Sequence, residues 1–115
     1  QKDTTRALQI LNTVLKSNSS MYTAEAHYLI ASIYFNQQKY NIAEKTAFDV
    51  IKKQASYEFW VTKSYILLGD IYLAQNDNFN AIATYKSIAE NATIPALQQI
   101  ASDKLKAITE TIKAQ

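Results

Sequence analysis

The chain has no cysteine, a single glycine (Gly69), a single proline (Pro95) and a single histidine (His27) among its 115 residues. Without thiols it can form no disulfide framework, cysteine-ligated zinc site, iron–sulfur cluster or cysteine nucleophile. One glycine and one proline leave almost no material for hairpin turns or phosphate-cradling loops, which argues against all-β folds, P-loops and dinucleotide-binding fingerprints. Long apolar runs are missing too. A membrane span needs about 18 to 20 uninterrupted apolar residues, and the richest stretch, 65–74, is broken by Asp70. Twelve basic against ten acidic side chains give a net charge of +2, too small and too dispersed to imply nucleic acid or an anionic membrane as partner. What remains is an all-α chain of single-domain size.

The opening residues Gln1, Lys2 and Asp3 are neither an initiator methionine nor the start of a basic-then-apolar leader. The chain is therefore expected to be a piece of a longer protein, and its compartment, cytoplasm or a cell envelope, stays open. Asn18-Ser19-Ser20 and Asn91-Ala92-Thr93 fit the glycosylation sequon, a pattern short enough to recur by chance in an asparagine-rich chain.

Apolar residues recur at spacings of three and four almost from end to end, the mark of helices with one buried stripe. Six segments emerge, at about 3–16, 22–37, 40–54, 57–75, 79–91 and 94–113. The first carries Ala7, Leu8, Leu11, Val14 and Leu15 on one side and stops in a serine- and asparagine-rich loop. Asn76-Asp77-Asn78 predicts a turn and an N-cap before the fifth. Thr93 is placed to cap the sixth, and Pro95 falls in its first turn, where a missing N–H costs nothing. Lys104, Lys106, Glu110 and Lys113 are expected on exposed turns of that last helix.

The second and third segments repeat in the fourth and fifth after a shift of 38 residues. Ala31 falls on Gly69, Ile33 on Ile71, Tyr34 on Tyr72, Ala43 on Ala81 and Val50 on Ile88. The first segment joins after a shift of 36, with Ala7, Leu11 and Val14 on Ala43, Ala47 and Val50. Labelling the two kinds of segment A and B, the chain reads B, A-B, A-B, A. Glycine in a helix interior costs roughly 1 kcal/mol relative to alanine, so Gly69 marks a place where a neighbouring backbone is expected to come close.

These residues resemble the tetratricopeptide repeat. Tyr65-x-x-Leu68-Gly69-x-x-Tyr72 is similar to its W-x2-L-G-x2-Y pattern, with Tyr65 in the tryptophan slot, and Ala81-x3-Tyr85 is similar to its A-x3-F. The earlier copy, His27-x-x-Ile30-Ala31-x-x-Tyr34 followed by Ala43-x3-Ala47, is weaker. The usual period is about 34 residues; here the copies are longer, and neither has the closing proline. The resemblance implies a single all-α, tetratricopeptide-like α-solenoid of about six helices. Residues 1–20 would be helix B of a preceding repeat, 21–55 and 56–93 two repeats, and 94–115 a capping helix. The second repeat and its asparagine-rich turn resemble bacterial members, several of which work in the cell envelope, and the segment reads as the C-terminal repeats of its parent.

By the same resemblance the chain is a non-enzymatic scaffold that binds a peptide or partner helix along the outer face of its A helices. That face carries Glu25, Tyr28, Ser32, Phe35 and Asn36 from one A helix, and Lys63, Ile66, Asp70, Leu73 and Ala74 from the next. Its character is apolar with a mildly polar rim. Receptors of acidic C-terminal tails carry Lys, Asn and Arg at places that hold Tyr28, Ser32, Lys63 and Leu67 here, so only Lys63 fits and an acidic tail is not the expected ligand. The alternative is a structural or oligomerisation segment that stacks on upstream repeats, with self-association through the N-terminal helix. No cofactor, metal or nucleic acid is expected. His27 stands where the repeat places a packing aromatic, and the tyrosines at 34, 65, 72 and 85 are read as packing rings rather than base-stacking platforms.

Overall fold

The computed structural model describes the backbone of residues 2–17 and 21–114, and the side chains of 4–13 and 21–114. Among the described residues there are six helices, α1 (Lys2–Ser17), α2 (Met21–Asn36), α3 (Tyr40–Lys53), α4 (Glu58–Ala74), α5 (Asn78–Asn91) and α6 (Pro95–Ala114), and no strand. Each end lies within one residue of the boundary expected from periodicity. The loop expected after the first segment, with the first sequon, lies outside the described residues, as do the side chains of Val14 and Leu15. The chain divides into two compact units, Gln1–Ser64 and Tyr65–Gln115, and the division falls inside α4.

The repeat is visible in the backbone as well as in the residue types. At the end of α2, Lys39 N–H donates to Tyr34 O at 2.9 Å and Gln38 N–H donates to Phe35 O at 2.9 Å. At the end of α4, Asp77 N–H donates to Tyr72 O at 2.9 Å and Asn76 N–H donates to Leu73 O at 3.0 Å. This pair of bonds is the Schellman closure of a helix, and it requires a left-handed residue at the position that follows. Gln38 and Asn76 fill that position, each with φ 63°. With only one glycine in the chain, both copies use a residue that pays steric strain there.

The next helix begins at once in each copy. Lys39 (φ −93°, ψ 71°) and Asp77 (φ −91°, ψ 72°) are N-caps of nearly identical geometry. Asp77 accepts from Asn80 N–H at 3.2 Å, and its other oxygen accepts from Asn80 Nδ2 at 2.7 Å, satisfying a donor that a helix start leaves orphaned. Lys39 has no side-chain acceptor and caps nothing. Ahead of α6 the expectation for Thr93 is corrected. Ile94 O accepts from both Leu97 N–H and Gln98 N–H, so Ile94 is the cap residue and Thr93 stands one place too early. Pro95 is the first helical residue.

In the first unit, α2 packs on both α1 and α3. Ala24, Ala26, Ile30 and Ala31 of α2 and Ala43, Ala47 and Val50 of α3 are buried. Alanines dominate this core, so the helices approach closely and each residue buries little area.

In the second unit α5 packs on α6. Ile66 of α4 joins Ala81, Tyr85 and Ile88 of α5 and Leu97, Ala101 and Ile108 of α6 in one cluster, with Tyr72 and Leu105 packed at its edge. Gly69 sits directly under Tyr85. A Cβ on Gly69 would lie 2.8 Å from both Cδ1 and Cζ of that ring and nearer still to Cε1. The close neighbour is thus an aromatic side chain, not the second backbone that a helical glycine first implies.

The Tyr85 ring is fully buried, and its hydroxyl donates to Asp70 Oδ1. Asp70 also pairs with Lys104 Nζ at 3.1 Å, so Lys104 is tied across to α4 instead of standing free on an exposed turn. Tyr65 differs from its tryptophan-slot expectation, being 40% exposed.

Candidate functional site

Five of the expected partner-face residues lie on α2. Glu25, Tyr28, Ser32 and Phe35 are half-buried and Asn36 is exposed. Helical spacing spreads them over one broad arc, and the fold sends them to three different neighbours. Tyr28 meets Trp60 of α4, ring centroids 5.6 Å apart and tilted by 43°. Phe35 packs against Tyr40 at the start of α3, with centroids 5.8 Å apart. Ser32 and Asn36 turn toward α1 and border a concavity of about 480 Å³ together with Ala7, Ile10, Leu11, Leu29 and Ile33.

Lys63 is brought to Tyr28. Its Nζ lies 5.0 Å from the Tyr28 ring centroid and 5.9 Å from that of Phe59, within the range in which a ring face attracts a cation. Phe59 stands edge-on to Trp60 with centroids 4.9 Å apart. The first unit therefore carries a contiguous cluster of Tyr28, Phe59, Trp60 and Lys63, in which Phe59 is 43% exposed. Sequence reasoning placed Tyr28 and Lys63 on this face and missed Phe59 and Trp60. The signal was present, because Phe59 precedes Lys63 by four residues and so shares its helical face.

In the second unit the expected residues part company. Ile66 is 7% exposed and belongs to the core cluster; it is withdrawn as a partner contact because α5 and α6 already cover it. Asp70 is held by the Tyr85 hydroxyl and Lys104, which makes it a tie between α4, α5 and α6. Leu73, 39% exposed, and Ala74, exposed, keep open surface.

The polar groups that could suggest chemistry are engaged locally. His27 Nδ1 lies 3.1 Å from Thr23 O one turn back, and Ser32 Oγ donates to Tyr28 O at 3.1 Å. Tyr85 has a displaced protonation equilibrium. Burial raises its phenol well above the ordinary value of 10.0, helped by the hydrogen bond to Asp70 and by that carboxylate's charge. Its burial in the core cluster makes this a packing consequence. Among the described residues no group of three or more His, Cys, Asp or Glu side chains could hold a metal ion, and no helix is long and apolar enough to cross a membrane.

A family model for the tetratricopeptide repeat matches residues 24–47 and 62–91. Neither a curated protein nor a solved structure matches the chain. The first matched stretch runs from α2 into α3 and the second from α4 through α5, so each match spans one A-B pair. With the repeated Schellman closures and paired N-caps, these matches establish that the chain is a tetratricopeptide repeat protein.

Proposed function

We propose that this chain is a non-enzymatic protein-interaction module that takes a peptide or partner helix along the outer face of α2 and the start of α4. Tetratricopeptide repeats are in general protein–protein interaction modules, and the finer assignment rests on one observation. Tyr28 and Lys63, from different helices, stand together with Phe59 and Trp60 in one partly exposed cluster. Large aromatic side chains with a cation beside them supply contact area at low entropic cost, and such groups dominate interface energetics. The chain's small net charge gives no electrostatic steering toward nucleic acid. Leu73 and Ala74, exposed on the second unit, are proposed as partner surface of that unit by itself.

The test is crosslinking with a photoreactive residue at position 59, in the cluster and 43% exposed, repeated in a Tyr28→Ala/Lys63→Glu variant. Loss of a discrete crosslinked partner in the variant is expected. Capture of every partner at undiminished yield overturns the assignment of this face.

A further inference from the structure

The side chains around Lys63 carry hydrogen-bond donors and a charge that the chain itself leaves unanswered. Lys63 Nζ stands over the rings of Tyr28 and Phe59. Among the described residues the one ion pair joins Lys104 to Asp70, so no carboxylate balances Lys63, not even that of Glu25 one turn before Tyr28. The Tyr28 hydroxyl and the Trp60 indole N–H likewise find no acceptor among the described residues. Tyr28, Trp60 and Lys63 are all half-buried, so their polar ends meet solvent beside apolar rings.

This combination discriminates between two kinds of occupant. A helix uses its carbonyls within its own backbone, and against it the three donors would depend on side chains alone. A segment in the polyproline II conformation has no internal hydrogen bonds, so its carbonyls are free to accept. Proline-rich segments dock on aromatic-lined surfaces, and because their conformation is preformed they lose little entropy in doing so. The scale fits as well. Polyproline II brings the same edge round every three residues, about 9 Å, while the Tyr28–Trp60 and Phe59–Trp60 ring centroids are 5.6 and 4.9 Å apart. One turn of the ligand therefore covers the three rings. They meet tilted by 43° and edge-on at 85°, an angled surface and not a flat stacking platform. Charge supplies the last element, since an unpaired ammonium is complemented by a carboxylate.

We propose that the occupant of this face is an extended, proline-rich segment of a partner protein with a glutamate or aspartate seated at Lys63, and not a helix. The inference deepens the assignment of this face to a partner and rests on it.

The probe is a fluorescein-labelled peptide of eight prolines with one glutamate at its centre, titrated against the intact chain by anisotropy. Saturable binding is expected. Glutamine in place of the probe's glutamate is expected to weaken it by about two- to fivefold, the worth of a partly exposed ion pair. Lys63→Met, which keeps the apolar stem and removes the charge, is expected to make the two probes equal. Tyr28→Phe keeps the ring and removes a donor, and a loss of about two- to tenfold is expected. Phe59→Ala, at a 43% exposed position, is expected to cost about tenfold. Circular dichroism of each variant checks that the fold persists. No saturable binding, binding indifferent to Phe59→Ala and Lys63→Met, or equal affinity of the unaltered chain for both probes overturns the proposal. So does tighter, Phe59-dependent binding of an alanine-based helical peptide with a leucine stripe and one glutamate, which gives the face to a helix. The two readings fail separately. A crosslink at position 59 that still depends on Tyr28 and Lys63, beside a proline probe that does not bind, removes the extended occupant and leaves the partner face. A crosslink indifferent to those two residues removes the face and this inference with it.

Discussion

Gly69 exists in this chain because of Tyr85. The hypothetical Cβ that would sit 2.8 Å from two carbons of the Tyr85 ring cannot be accommodated by a small shift, since that ring is fully buried and its hydroxyl is anchored on Asp70. In the earlier repeat the equivalent positions are Ala31 and Ala47, both at 0% exposure. Two alanines in one copy and a glycine with a tyrosine in the other solve the same packing problem with different division of volume.

Gly69→Ala should therefore destabilise by about 1–3 kcal/mol through overpacking, although alanine is favoured over glycine in a helix by roughly 1 kcal/mol. Adding Tyr85→Ala to Gly69→Ala recreates the pair of the first repeat. In urea denaturation the double variant should lose less than the two single losses added together. A Gly69→Ala midpoint equal to or above that of the unaltered chain would remove the steric argument.

Asp77 caps α5 and Lys39 caps nothing, in otherwise matching backbone geometry. Lys39→Asp should stabilise by about 1 kcal/mol and Asp77→Ala should destabilise by about the same amount. Both are read as shifts of the thermal midpoint, in opposite directions.

Gln38 and Asn76 each hold φ 63°. Replacement by glycine relieves the contact between Cβ and the backbone that the left-handed conformation imposes, by roughly 1 kcal/mol for Gln38→Gly and less for Asn76→Gly, since asparagine tolerates this region better. Equilibrium unfolding of the two single variants should rank them in that order.

Tyr85 makes the stability of the second unit sensitive to alkali. Its phenol is raised in the folded chain relative to its ordinary value of 10.0, so above pH 10 the unfolded chain loses this proton first and folding becomes progressively less favourable. Below pH 10 both states hold the proton and the contribution is complete. Tyr85→Phe should lower stability at neutral pH by about 1.5–3 kcal/mol, the range for a hydrogen bond to a charged partner, and should flatten the decline above pH 10. Denaturation midpoints at a series of pH values between 8 and 11 supply the check. A parallel decline in the variant would assign the alkaline sensitivity to other groups.

The six helices and their ends were legible in the linear chain because both signals are local. Apolar spacing of three and four sets the helices, and polar clusters such as Asn76-Asp77-Asn78 set the breaks. The shift of 38 residues likewise needs no structure, and it already marked Gly69 as a contact position. The aromatic cluster on which the proposed face rests was legible in part. Repeat positions singled out Tyr28 and Lys63, which the fold brings together, but not Phe59 and Trp60 beside them, and they put Ile66 on the outer face although it is buried in the core. Repeat position says which arc of a helix a residue occupies, but not which neighbouring helix covers that arc.

The sequence by itself determined an all-α repeat protein with its A and B helices in order, because periodicity and capping are properties of neighbours along the chain. Tertiary structure decided that Tyr85 fills the space over Gly69, that Asp70 is drawn inward by Tyr85 and Lys104, and that Tyr28 of α2 meets Trp60 and Lys63 of α4. Those outcomes depend on volume and on the distance between helices far apart in sequence, quantities that no local pattern encodes.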